Sequence, residues 1–194
     1  MTRFFLGLSR LFALMGGIML TIVIMITSIS ILGRSLNSLL HSDFFQSALG
    51  GLSNWLIDAG IGSIKGDFEL VEAAMAFSIF AFIPLTQMTN GHAAVDLFTA
   101  WLPKRAQLVL RMLIEILFAV VLVIIAKQLF EGMSSKMRSG QTTFLLEFKV
   151  WWAYALSLVP AVVAAVVGIY MALVRTYEAA VGRVIIADEM GAEH

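Results

Sequence analysis

His92 and Asp96 stand four residues apart, so on a helix they share a face, close enough to relay a proton or to begin a metal site. The same spacing also makes a plain polar pair that fixes a connecting helix, and that reading requires nothing further. Glu69 and Glu72, three apart, likewise share a helix face. Two carboxylates so placed could hold a cation. They equally suit a helix N-terminus, where unsatisfied backbone N–H groups favour negative charge. Glu115 interrupts an apolar stretch, and a carboxylate inside such a stretch is a functional candidate by default; Arg111, one turn earlier, offers it an interfacial partner.

Most other chemistry is excluded by what the sequence lacks. The three histidines, His41, His92 and His194, occupy three separate segments, so no haem or zinc site is expected and no cofactor is called for. The absence of cysteine removes thiolate nucleophiles, disulfides and cysteine-based metal sites. No glycine-rich loop precedes a helix to cradle phosphate, and Ser, His and Asp do not converge as in a hydrolase. An enzymatic reading therefore has no motif behind it. Thirteen basic residues balance 13 acidic ones, so no broad positive field exists to attract nucleic acid.

The elements that must position these residues are long and apolar. Of the 194 residues, 60% are hydrophobic and 13% charged, with a mean hydropathy of +0.92. Residues 150–174 carry no charge, and comparable stretches cover about 11–33, 69–90 and 106–130. About 20 apolar residues in a helix cross a hydrocarbon core of roughly 30 Å. Lipid tolerates only helices and closed barrels, and these runs are too long for barrel strands. The expected fold is an all-α integral membrane protein, a single membrane domain over 1–194 with four transmembrane helices. The first apolar run is longer than the about 7–15 residues of a signal peptide core and is read as a retained span.

Shorter amphipathic segments lie between the spans. Residues 2–10 mix basic and apolar groups ahead of span one. In 43–57 the apolar positions fall on one half of a helical circle, with Ser42 as a potential N-cap, and in 92–102 they again share a face. All three are expected as interfacial helices. Pro84 should kink span two, residues 132–141 should form a polar hairpin tip, and Trp151, Trp152 and Tyr154 should anchor span four at headgroup depth. Gly16-Gly17 and the Ala161, Ala164, Ala165 and Gly168 series allow helices to approach closely. An even number of spans puts both termini on one side. Basic residues divide almost equally between the two sides, so charge alone does not say which.

Several of these segments, in this order, resemble the small membrane subunit (DctQ type) of tripartite ATP-independent periplasmic (TRAP) transporters. They are Arg34 after span one, Gly66-Asp67-Phe68-Glu69-Leu70-Val71-Glu72 opening span two, and Gly91-His92-Ala93-Ala94-Val95-Asp96 with Leu102-Pro103 ahead of span three. Gly140-Gln141-Thr142-Thr143 and Trp151-Trp152-Ala153-Tyr154 precede span four. The first loop is longer than usual for the family. The resemblance implies a bacterial inner-membrane protein with both termini cytoplasmic. It implies two protein partners besides the membrane lipids: a large permease subunit (M type) holding the sodium and substrate sites, and a periplasmic substrate-binding protein (P type). It also implies a scaffolding and docking role in sodium-driven uptake of organic acids, with Arg34, Glu69, Glu72, His92, Asp96, Gln141, Trp151 and Trp152 as partner-binding or structural candidates. The competing reading is a self-sufficient oligomeric channel or exporter, with Glu115 or the Glu69/Glu72 pair lining a path.

Overall fold

The computed structural model describes residues 2–42, 64–89 and 103–182, together with positions 51, 55 and 62. Apart from positions 51 and 55, the interfacial helices expected at 43–57 and 92–102 lie outside the described residues. Within them are four helices long and apolar enough to cross a membrane. They are α1 (Thr2–Leu40), α2 (Asp67–Met88), α3 (Lys104–Ser139) and α4 (Trp151–Val181). The 22 residues of α2 rise about 33 Å, close to the thickness of the hydrocarbon core. The 39 residues of α1 and 36 of α3 rise about 58 and 54 Å, so both continue beyond it.

Helix boundaries follow from local chemistry. No breaker separates residues 2–10 from the first apolar run, and one helix carries both. It closes where the Ser42 hydroxyl donates to the Leu39 carbonyl (2.6 Å), so Ser42 ends this helix. The polar segment after 130 is helical as far as Ser139, not a hairpin tip, because no residue stops the helix before Gly140. Gly140 adopts the left-handed conformation (φ 62°) that ends helices. Pro84 lies inside α2 and Pro160 inside α4, and both helices run through them.

The helices pack in an open row, α1 on α2, α2 on α4 and α4 on α3. Without a hydrophobic drive in lipid, such packing depends on close approach by small residues. On α1 the buried positions Ser9, Gly16, Val23 and Ser30 recur every seven residues. On α2, Asp67, Ala74, Ala81 and Met88 do the same. Gly16 abuts Ala81, and Ser30 bonds to Asp67, which fixes an antiparallel register. That register sets Val23 against Ala74 and Ser9 against Met88. A sustained repeat of seven favours a left-handed crossing.

Ser78, one turn from both Ala74 and Ala81, lies in this seam as well, while Phe77, Pro84 and Gln87 turn toward the side where α4 packs. On α4, Ser157, Ala161, Ala164, Gly168, Met171, Arg175 and Glu178 are buried at alternating intervals of four and three. Glu115, Ala119 and Leu122 keep the same spacing on α3. Gly168 sits where α2, α3 and α4 meet: a Cβ there would lie 3.0 Å from the Gln87 amide nitrogen and 3.4 Å from the Ala119 backbone. Its missing side chain is what admits the Gln87 amide into the junction. The outer helices are barely covered. Half of the most apolar window of α4 is buried inside the chain, against 11% for α1.

The α1–α2 seam is directly testable. A Cβ at Gly16 would come within 3.1 Å of Ala81, whereas nothing lies within 4 Å of the same position at Gly17. Gly16→Val should therefore cost about 1–3 kcal/mol by overpacking and lower the melting temperature in detergent, and Gly17→Val should not. Equal melting temperatures for the two variants would remove the seam as the reason for that glycine.

Candidate functional site

The described polar side chains concentrate at the two ends of the row. At the end joining α1 to α2 and α3 to α4, the centre is Asp67, whose residue is only 5% exposed. Its Oδ2 accepts from the Ser30 hydroxyl at 2.5 Å and from Arg34 Nη2 at 3.2 Å, while Oδ1 accepts from the Phe68 N–H at 2.9 Å. A buried carboxylate is tolerated only with such partners. The Arg34 guanidinium also lies 5.3 Å from the centre of the Phe68 ring, in cation–π range. One residue thus ties the last third of α1 to the first turn of α2.

The next carboxylate reaches the other way. Glu69 Oε1 accepts from the Leu145 N–H (2.7 Å) and Oε2 from the Leu146 N–H (2.9 Å). Residues 141–150 form a narrow hairpin closed by a bridge between Thr142 and Lys149 and by Thr143 N–H to Phe148 carbonyl (2.9 Å). Glu147 takes a positive φ of 53° within it. Gly66, at φ 76°, lets the chain enter α2, and Leu146 packs so closely over it that a Cβ would collide with that side chain. Gly66, Asp67 and Glu69 together clamp α1, α2 and the hairpin into one unit. The clamp holds up an apolar tip, with Phe144 92% exposed.

At the opposite end, Arg175 Nη1 and Glu178 Oε2 form a fully buried pair at 2.6 Å. Glu115, expected at the interface beside Arg111, is instead buried in line with Ala119 and Leu122, on the face of α3 that packs on α4. Nearby, the Thr2 hydroxyl meets the Tyr170 hydroxyl at 2.9 Å, and Phe5 stacks on the Tyr170 ring.

The candidates from the sequence fall in different places. Arg34 and Glu69 enter the clamp. Gln141 accepts from Lys136 Nζ (2.6 Å) while its backbone carbonyl takes the Val150 N–H, so it seats the hairpin base on α3. Trp151 and Trp152 stack with ring centres 4.8 Å apart at the start of α4. Glu72, one turn beyond Glu69, is exposed and makes no such bond. His92 and Asp96 lie outside the described residues. Sequence reasoning passed over Ser30, Asp67 as the hub, and the Arg175–Glu178 pair. The seven-residue repeat would have turned Ser30 inward, and the spacing from Ala161 through Gly168 would have placed Arg175 and Glu178 on the buried stripe.

Chemically, the oxygens of Asp67 and Glu69 are occupied in joining elements, an arrangement for positioning and not for turnover. No group of three or more His, Asp or Glu that could hold a metal occurs among the described residues. Fold and polar geometry together define a polytopic α-helical membrane protein whose charged groups brace its helices. Residues 59–178, more than half of the chain, match the family model for the tripartite ATP-independent periplasmic transporters, DctQ component. The chain belongs to that family. Comparisons with characterised proteins and with solved structures give no match. The family match covers the hairpin and its clamp on α2, while α1 and most of the first loop precede it.

The clamp predicts which glutamate holds the hairpin. Glu69→Ala should speed hydrogen exchange at the Leu145 and Leu146 amides by about 10- to 100-fold, the loss expected for bonds to a charged acceptor. Glu72→Ala should leave both amides unchanged. Exchange mass spectrometry resolved to the 141–150 peptide checks the difference.

Proposed function

We propose that this chain is the scaffolding subunit of a sodium-driven TRAP transporter in a bacterial inner membrane. It would hold a large permease subunit and help dock a periplasmic substrate-binding protein that delivers organic acids. The family match over residues 59–178 carries this reading. The open row supports it physically. The outer faces of α1 expose Leu14, Ile18, Ile24, Met25, Ile31 and Leu32, and a flank this apolar suits lipid or a partner's helices. In this reading both termini are cytoplasmic, and the 141–150 hairpin and the clamp face the periplasm.

The competing channel needs Glu115 or the Glu69/Glu72 pair to line a path through the bilayer. The burial of Glu115 at 5% exposure and the commitment of both Glu69 oxygens to the Leu145 and Leu146 amides speak against that role. An enzymatic role is likewise disfavoured, since the family is a transporter component.

Uptake assays in cells lacking the endogenous system test the reading. Co-expression with a large permease and its binding protein should restore organic-acid uptake, and omission of this chain should abolish it. Transport by the reconstituted chain alone would overturn the scaffold. The cysteine-free background permits a parallel topology test. A cysteine at Ser139 should react with an impermeant maleimide from outside, and one at Thr99 only after the membrane is opened.

A further inference from the structure

Beneath the clamped hairpin is a cavity of 480 Å³, within the size range of small-molecule sites. Its composition changes with depth. At the mouth are Glu72, on the second turn of α2, and Lys136, on the last turn of α3. Below lie Ala76, Leu129 and Ser157, one to two helical turns deeper, and the Ser157 hydroxyl is already spent on the Ala153 carbonyl, so the cavity extends about 10 Å along the helices. Polar at the interface and apolar toward the hydrocarbon, it has the profile of a lipid and not of a soluble metabolite.

The polar groups at its mouth are unspent. Glu72 and Lys136 line the same space yet form no ion pair with each other. Lys136 gives one proton to Gln141 and keeps two for another acceptor. Tyr154 also lines the cavity, its ring fixed against Gly132, and its hydroxyl has no hydrogen-bond partner among the described residues. The site therefore offers one carboxylate for a cation, and an ammonium and a phenol for an anion. A ligand with a primary ammonium and a phosphate a few bonds apart satisfies both, with an apolar tail to fill the depth.

We propose that this cavity binds a phosphatidylethanolamine-type lipid, its ammonium on Glu72 and its phosphate on Lys136 and Tyr154. Phosphatidylcholine has no N–H to donate to Glu72, and phosphatidylglycerol has no cation at all. The inference rests on the spanning helices and this cavity and is independent of the transport role.

Native mass spectrometry of the full-length chain tests it, with phosphatidylethanolamine, phosphatidylcholine and phosphatidylglycerol of identical acyl chains. The wild type should retain phosphatidylethanolamine about tenfold better than either competitor, the scale of one charge-assisted hydrogen bond. Glu72→Gln should erase that preference, and the exposed position of Glu72 leaves folding intact, checked by the thermal melt. Tyr154→Phe keeps the ring on Gly132 and should weaken all three lipids alike. Equal retention of the three lipids by the wild type would overturn the proposal, as would an undiminished preference in Glu72→Gln. Displacement of the lipid by an equal concentration of soluble phosphoethanolamine would assign the site to a soluble zwitterion and overturn it as well.

Discussion

Hydrocarbon does not squeeze helices together, so shape must do it, and in this chain shape comes from residues with almost no side chain. Ser9, Gly16 and Ser30 on α1 meet Ala81 and its neighbours on α2 in a repeat of seven, while Ala161, Ala164 and Gly168 serve α4. The seam brings Ser30 against Asp67, and at that distance the same carboxylate oxygen also takes Arg34, while its other oxygen holds the Phe68 N–H of its own helix. The polar clamp is thus downstream of the packing. It then sets the position of Glu69, which holds the hairpin.

The two ends of the row use charge differently. At the hairpin end, Arg34 keeps 43% of its side chain exposed, and the acidic partners reach across elements. At the other end, Arg175 and Glu178 are a turn apart on one helix and wholly enclosed. A pair so deeply desolvated gains little net stability, though breaking it would strand a charge. Its effect is to make the inward orientation of that stretch of α4 costly to change. The first arrangement joins separate segments; the second fixes the rotation of one helix.

The fold class was legible in the sequence because apolar runs of 20 or more residues leave lipid as the only reasonable solvent. Helix existence followed directly, but extent did not. α3 reaches Ser139 because a polar sequence can stay helical outside the hydrocarbon, and hydropathy is blind to that. Arg34 and Glu69 were visible as candidates, yet their partners were not. Ser30 and Asp67 are 37 residues apart, and Glu69 and Leu145 are 76 apart. Glu115 was expected at the interface beside Arg111, whereas the helix turns it inward, which no local pattern could weigh. Gly16 and Gly17 look alike in the sequence, and only the seam distinguishes them.

The spatial order of the row, α1–α2–α4–α3, differs from the order of synthesis. α1 and α2 can close their seam as soon as both have left the ribosome. α3 emerges next and finds its main neighbour not yet made. The last of these four to be translated is therefore the keystone, and it must slide between two that are already in the bilayer. A ribosome stalled shortly before residue 150 would leave α1 and α2 with their seam available and α3 without its main neighbour, exposing to the membrane's quality-control machinery a face built to meet α4.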